Sequence, residues 1–170
     1  RTLFPGGKGM PYAVGFWSDR PFFQSAVPLI FGEIGEIVPE AFKKDREKMF
    51  PERPFNYQQM KAAIPLMKDQ WRAHAAIVAD QLADGRKFVL GDVAAVNDIH
   101  AHLNFWFLKS FFPPTAEALM REFPKVEAWY ARMTAIGHGA KSEMDSKEAL
   151  AVAKAATPET KPAVDPHDPN

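Results

Sequence analysis

The stretch 84–107 constrains the fold more than any other part of the chain. Gly85 marks the end of a preceding helix, since glycine tolerates the left-handed conformation found after a helix C-terminus. A short apolar run follows, and Gly91-Asp92 turns the chain. Apolar residues then recur at the three- and four-residue steps of a core-facing helix: Val96, Ile99, Leu103, Trp106 and Phe107. The pattern predicts a central buried helix from Val96 to about Lys109.

The start of this helix carries half of a capping box. Asp98 follows Ala95 by three residues, the spacing at which an acidic side chain accepts a hydrogen bond from the cap residue's backbone N–H. A Ser or Thr at position 95 would return a bond to residue 98, but Ala95 has no side-chain acceptor. A missing cap hydroxyl costs about 1 kcal/mol, so packing must hold the helix start. We assign Asp98 this structural capping role in preference to a catalytic one.

The other segments also show helical patterns, and none shows the alternation of a strand. The longest pattern covers 56–84, where Pro65 predicts a kink. The first helix begins at Ser18, or at Pro11 with a bend at Pro21. Shorter helices are predicted over 39–49, 115–121 (capped by Thr115), 124–136 and 146–156 (capped by Ser146). We therefore predict an all-α fold, a single helical bundle of about five to seven helices.

Segments rich in glycine or proline at the two ends divide the chain into three parts. Residues 1–12 hold three glycines and two prolines and are predicted to be a linker or loop. Residues 13–156 form the helical domain. Residues 157–170 hold four prolines and are predicted to be a disordered tail.

Composition excludes several classes of function. Lys+Arg and Asp+Glu both number 21, so no net field attracts nucleic acid or an anionic membrane. No apolar run reaches eighteen residues, the length that indicates a membrane span. The absence of cysteine excludes disulfides, a cysteine nucleophile and cysteine metal sites. We expect a cytoplasmic protein.

The histidines do not predict a metal site. His100 and His102 are two residues apart on a helix, so their side chains point to nearly opposite sides. Asp98 and His102 have the i, i+4 spacing, which we interpret as a helix-surface ion pair.

Two motifs resemble the C-terminal helical domain of the glutathione transferase (GST) family. FVLGDVAAVNDI at 88–99 is similar to the family's f-l-G-D-x-x-S/T-x-A-D-i, which opens the central buried helix; Gly91, Asp92 and Asp98 agree, whereas Ala95 and Asn97 depart. FPKVEAW at 123–129 is similar to the family's f-P-x-v-x-x-W helix start. The resemblance implies a thioredoxin-like domain ahead of Arg1 that binds and activates glutathione, the co-substrate of the full-length protein.

The resemblance also implies a role for the helical domain. It would present an apolar wall to a small hydrophobic electrophile and contribute to a homodimer. The candidate wall residues are Trp17, Phe22, Phe23, Phe105 and Trp106. The alternative for each is burial in the core. We expect no catalytic residue, metal or resident cofactor in this chain, an enzyme in the full-length protein, and no activity of the chain alone. A second hypothesis is a non-catalytic helical module for protein assembly or ligand binding.

Overall fold

The computed structural model describes residues 9–49, 51–52 and 55–158, and the regular structure within them is helical. Phe88 and Gly91 add one isolated antiparallel bridge. The described helices are α1 (Gly9–Trp17), a π-helical turn (Ser18–Phe22), α2 (Phe23–Ile34), α3 (Glu40–Met49), α4 (Tyr57–Gln81), α5 (Val96–Phe111), α6 (Pro113–Met120), α7 (Pro124–Ile136) and α8 (Ser146–Ala155). The all-α prediction is confirmed.

Helix α1, the π turn and α2 follow one another without a break. Pro21 lies inside the π turn, at the position where a bend is one of the two sequence-based alternatives. Proline has no N–H to continue the α-helical ladder, and a π turn accommodates the disruption by widening the helix. The N–H of Phe23 accordingly reaches back five residues to the carbonyl of Ser18. The helix begins at Gly9, so residues 9–12 are helical and not the predicted loop, while residues 1–8 lie outside the described part of the chain.

Helices α2 and α4 approach each other closely. A Cβ atom added at Gly32 would lie 2.9 Å from the backbone nitrogen of Lys61, a distance that real Cβ contacts do not show. Glycine at this position therefore allows the two backbones to meet. Helix α4 is capped by Asn56, whose side chain accepts a hydrogen bond from the N–H of Gln59 at 3.0 Å, and the helix continues through Pro65.

The core surrounds α5. The side chains of Phe105 and Leu108 are fully buried, together with Phe22 before α2, Trp71 on α4 and Trp129 on α7. Phe105 is the common neighbour of the aromatic residues. Its ring centroid lies 5.2 Å from Phe22, 5.1 Å from Trp71 and 5.6 Å from Trp129, each in an edge-to-face arrangement.

The Asp98 carboxylate organises the start of α5. It is fully buried and accepts hydrogen bonds from the N–H groups of Ala95 (3.0 Å) and Val89 (2.8 Å) and from the Trp129 indole (2.9 Å). Ala95 has the extended backbone of an N-cap, φ −132° and ψ 177°. With no acceptor on the Ala95 side chain, the Asp98 N–H bonds to the Ala95 carbonyl at 3.0 Å. One carboxylate thus joins the loop, the helix start and α7.

The predicted surface pair of Asp98 with His102 is wrong. Asp98 points into the core, whereas the His102 ring stacks on Tyr130 with centroids 4.6 Å apart. Trp129 explains the difference, because its indole N–H reaches the carboxylate from another helix.

The two predicted caps of the short helices are also wrong. Helix α6 begins directly at Pro113, which tolerates the first helical turn because its missing N–H has no partner there, and not behind Thr115. Asp145 caps α8, accepting hydrogen bonds from the N–H groups of Lys147 and Glu148 at 2.8 Å each. In each case a residue shortly before the predicted cap, Pro113 or Asp145, is the stronger signal for a helix start.

The described chain divides into two units, one ending at Gly137 and one beginning at His138. The first contains helices α1–α7, and the second contains α8. Of the predicted disordered tail, residues 159–170 lie outside the described part of the chain.

Candidate functional site: the outer face of helices α1 and α5

Helices α1 and α5 lie side by side and run parallel. Gly15 on α1 contacts the His100 ring on α5, since a Cβ at Gly15 would lie 3.4 Å from the ring. Further along the sequence, at the start of α2, the Phe23 ring stacks on the Phe107 ring of α5 with centroids 5.5 Å apart. The residue numbers of the two contacting segments therefore increase in the same direction, as they do when two helices pack in parallel.

Helix α5 has an apolar stripe on each of two opposite sides. Ala101 and Phe105 belong to the buried stripe. Ile99, Leu103 and Trp106 follow the i, i+4, i+7 spacing of one helix face and are 56%, 43% and 44% exposed. The helix at the centre of the core therefore also presents large apolar side chains outward.

Helix α1, which packs beside α5, also carries an exposed aromatic side chain. Phe16 is 69% exposed, although its neighbour Gly15 is buried against α5. The half-buried pair Phe23 and Phe107 occupies the contact between α2 and α5. We define the apolar face as Phe16, Phe23, Ile99, Leu103, Trp106 and Phe107. Exposed apolar patches on a protein surface often mark interaction sites.

Four polar residues line the contact between the π turn and α5: Ser18, Asp19, His100 and Asn104. We call them the polar seam. Asp19 and His100 pair at 3.0 Å between Oδ1 and Nδ1, and both side chains remain partly exposed, 49% and 36%. Asn104 donates its amide N–H to the carbonyl oxygens of Ser18 (3.1 Å) and His100 (3.3 Å). The seam fixes the π turn to α5.

Two atoms of the polar seam have no hydrogen-bond partner among the described residues. They are the Ser18 hydroxyl oxygen and the Asn104 amide oxygen, and both are buried. A buried polar group without a partner costs on the order of 1–3 kcal/mol. Native proteins keep few such groups, so each one calls for an explanation.

The five predicted wall residues separate into two groups. Phe22 and Phe105 are fully buried and belong to the core, and Trp17 is half-buried with its ring 5.3 Å from Phe22. Phe23 and Trp106 lie on the apolar face. The structure therefore does not bring all five together on one surface.

Trp17 points toward α4. Its indole N–H donates a hydrogen bond to His74 Nδ1 at 3.1 Å, which requires a lone pair on that nitrogen. Burial lowers the pKa of His74, which favours the same neutral form. Trp17 is thus held by a polar contact beside the core.

Sequence reasoning missed most of the apolar face. The spacing of Ile99, Leu103 and Trp106 was a usable signal of one helix face, but the predicted orientation of that face toward the core is wrong: these three are 56%, 43% and 44% exposed. The buried face of α5 carries Ala101, Phe105 and Leu108 instead. The Asp19–His100 pair had no such signal, since its partners are 81 residues apart.

No group of three or more potential metal-ligating side chains occurs among the described residues. None of the described helices combines the length and apolar character that crossing a membrane requires.

The fold is that of a GST-like helical domain. It is similar to the crystal structure of a GST-like protein from Pseudomonas syringae, with a TM-score of 0.67 and 25% sequence identity over 99% of this chain. The chain belongs to the family described as a domain of unknown function, DUF7962, whose model matches residues 25–142. Comparison with curated proteins gave no match. The aligned region is 50% of the Pseudomonas syringae protein, so this chain spans half the length of that relative.

Proposed function

We propose that this chain is the C-terminal domain of a glutathione transferase-like protein. A thioredoxin-like domain on its N-terminal side would bind glutathione and activate it as the thiolate. The observation that carries the proposal is the apolar face on a domain that aligns with one half of a GST-like protein. Such a face requires a cover, and a second domain of the same protein is the cover that the half-length alignment favours.

The same face supplies the wall for the electrophile. Trp106, Phe16 and Leu103 offer large apolar surface that a small hydrophobic molecule can share with the neighbouring domain. Holding the electrophile there places it near the sulfur and removes water from the reacting atoms, which raises the rate through proximity. The chain itself then needs no catalytic residue. The homodimer contacts that the GST resemblance implies belong to the same proposal.

The test is conjugation of glutathione to chlorodinitrobenzene by the full-length protein. Trp106→Ser and Phe16→Ser remove the wall without touching the core, so we expect KM for the electrophile to rise several-fold while KM for glutathione stays unchanged. Leu66→Ser is the matched control, because Leu66 is 58% exposed on α4, a helix that carries none of the residues of the apolar face.

Two results would contradict the proposal. One is a full-length protein that neither binds glutathione nor conjugates it. The other is an equal effect of Leu66→Ser and Trp106→Ser on KM for the electrophile. The first result would favour the second hypothesis, a non-catalytic helical module.

A further inference from the structure

The loop between α4 and α5 contains the one Asp-Gly pair of the sequence, Asp84-Gly85. In an Asp-Gly pair the backbone nitrogen of the glycine can attack the side-chain carboxyl carbon of the aspartate, because glycine has no side chain that hinders the approach. The Asp84 side chain is 56% exposed. Gly85 has a φ of +93°, in the left-handed region that favours glycine. The pair therefore combines the residue types and the exposure that this intramolecular reaction requires.

The reaction converts aspartate to isoaspartate in two steps. First, the nitrogen of Gly85 forms a bond to the side-chain carboxyl carbon of Asp84, and the carboxyl hydroxyl leaves as water with the proton of the nitrogen. The product is a cyclic succinimide. Second, water opens the ring by breaking the original peptide bond, so that the main chain then runs through the side-chain carbonyl. The protonated carboxyl is the reactive form, because an ionised carboxylate is a weak electrophile with no hydroxyl to release.

Arg86 holds the Asp84 carboxylate in its ionised form. Its Nε donates to the two carboxylate oxygens at 2.9 and 3.0 Å, and Nη2 donates to Oδ2 at 2.6 Å. The backbone N–H of Arg86 donates to Oδ1 at 3.1 Å. Hydrogen bonds from the Arg86 side chain are the main cause of the lowered pKa of the Asp84 carboxyl, about 2 against an ordinary 3.8. A guanidinium fork matches an ionised carboxylate and not the protonated acid, so it depletes the reactive form.

The nitrogen that would attack is also engaged. The N–H of Gly85 donates to the carbonyl oxygen of Leu82 at 3.3 Å, in the last turn before the loop. Both partners of the reaction are thus held by other groups in the folded chain.

We propose that Asp84-Gly85 is a site of isoaspartate formation and that Arg86 sets its rate. With the guanidinium fork in place, the folded chain reacts far more slowly than an unstructured peptide of the same sequence. Arg86 acts by keeping the carboxyl ionised and held away from the nitrogen of Gly85. The proposal does not depend on the proposed function, because it concerns a loop that carries none of the residues of the apolar face.

Isoaspartate at position 84 would disturb the loop. The loop is fixed on both sides of this position: Lys125 Nζ donates to the carbonyl of Ala83 at 2.9 Å, and Arg132 Nε donates to the carbonyl of Lys87 at 3.1 Å. Isomerisation inserts one carbon atom into the main chain between these two carbonyls. At least one of the contacts must then shift, so we expect the converted protein to unfold at a lower urea concentration than the unconverted protein.

The test follows isoaspartate in the folded 170-residue chain at about pH 6, above the ordinary pKa of a carboxyl. Enzymatic methylation of isoaspartate followed by peptide mapping locates and counts it. A synthetic peptide of residues 80–90 gives the unprotected rate. Lowering the carboxyl pKa from 3.8 to about 2 reduces the protonated fraction by more than about tenfold, so we expect wild type to react at least about tenfold more slowly than the peptide.

Variants separate the contacts of the carboxylate from the rigidity of the loop. Arg86→Ala in the folded chain should raise the rate toward that of the peptide, and Arg86→Lys should give an intermediate rate, because it keeps a charge and loses the fork. Arg132→Ala is the matched control: it removes a contact that holds the same loop but does not touch Asp84, so its rate should stay close to wild type. Circular dichroism and thermal unfolding of each variant confirm that the fold is retained.

The proposal is overturned if the folded wild-type chain reacts as fast as the peptide, if the peptide itself does not react, or if Arg86→Ala leaves the rate unchanged. Equal acceleration by Arg86→Ala and Arg132→Ala would also contradict it, because the rigidity of the loop would then control the reaction. Unchanged urea unfolding of the converted protein would contradict the expected disturbance of the loop.

Discussion

The Trp129 indole donates a hydrogen bond to the Asp98 carboxylate at 2.9 Å, and both side chains are fully buried. The contact joins the first turn of α5 to the first half of α7. Because Asp98 also accepts from the backbone of Val89 and Ala95, a single carboxylate satisfies donors from three segments. The same carboxylate therefore caps α5 and connects it to the preceding loop and to α7.

Asp98→Ala tests how much this carboxylate contributes to the free energy of unfolding. The substitution leaves four buried N–H donors without their acceptor, those of Val89, Ala95, Asn97 and Trp129. We therefore expect the free energy of unfolding to fall by about 3–5 kcal/mol. Trp129→Phe removes one donor and keeps most of the ring, and it should cost about 1–3 kcal/mol. Urea unfolding of both variants and of the double variant measures the coupling. An Asp98→Ala protein within 1 kcal/mol of wild type would show that the carboxylate does not hold the helix start.

Completing the capping box should stabilise the protein. Ala95 already has the extended backbone of an N-cap, and a Ser hydroxyl there can accept from the Asp98 N–H. We expect Ala95→Ser to raise the free energy of unfolding by about 0.5–1 kcal/mol. Ala94→Ser adds the same hydroxyl one residue too early to cap, and it should give no gain. Equal effects of the two substitutions would argue against the capping explanation.

The central helix and its cap were predictable because both depend on local spacing. Asp98 and Ala95 are three residues apart, and the apolar residues from Val96 onward repeat with the period of the helix. The repeat predicted the helix but not its orientation, because Ile99, Leu103 and Trp106 face outward and not into the core. The additional bonds of Asp98 to Val89 and Trp129 were not predictable, because they depend on where the loop and α7 pack. Thr115 and Ser146 were assigned as caps on residue type alone, although Pro113 and Asp145 are stronger start signals.

The ligand surface was predicted less well than the fold for a physical reason. Aromatic residues at helical spacing are favoured both in a core and on an apolar binding surface, so residue type does not separate Phe105 from Trp106. Only the direction of each side chain on α5 does so, and that direction depends on which helices surround it. The Asp19–His100 pair depends on the parallel packing of α1 and α5, which no local pattern encodes.

Phe105 and Trp106 should respond oppositely to truncation. Phe105→Ala opens a cavity among Phe22, Trp71 and Trp129, and we expect a loss of about 3–5 kcal/mol. Trp106→Ala removes a side chain that is 44% exposed, so it should cost less than about 1 kcal/mol. Thermal and urea unfolding measure both. A large loss for Trp106→Ala would place that residue in the core and remove it from the apolar face.

Gly32→Ala tests the close approach of α2 and α4. The new methyl group would lie 2.9 Å from the backbone nitrogen of Lys61, and backbone atoms cannot give way as the end of a side chain can. We expect a loss of about 1–3 kcal/mol in the free energy of unfolding. Gly9→Ala is the control, because no heavy atom lies within 4 Å of the added methyl group. If Gly32→Ala were neutral in urea unfolding, the two helices would be able to move apart without cost.

Stability should fall on acidification because burial lowers the pKa of both His74 and His102 from the ordinary value of 6.5. In that range the unfolded chain binds more protons than the folded one, so the free energy of unfolding rises with pH. The contribution is fully present above about pH 6.5 and is lost as the pH falls through the folded-state pKa values. Protonation of His74 also removes the acceptor for the Trp17 indole, so the loss includes a hydrogen bond.

The measurement is urea unfolding at several pH values between about 5 and 7.5, the range that brackets an ordinary histidine pKa. The double variant His74→Gln/His102→Gln should flatten the pH dependence, because glutamine does not titrate and its amide oxygen can still accept from Trp17. His138→Gln, in an exposed loop, should leave the wild-type dependence unchanged. If the double variant kept the wild-type slope, other groups would cause the acid sensitivity. Protonation of His74, and the loss of its hydrogen bond from Trp17, would then have no measurable effect on the free energy of unfolding.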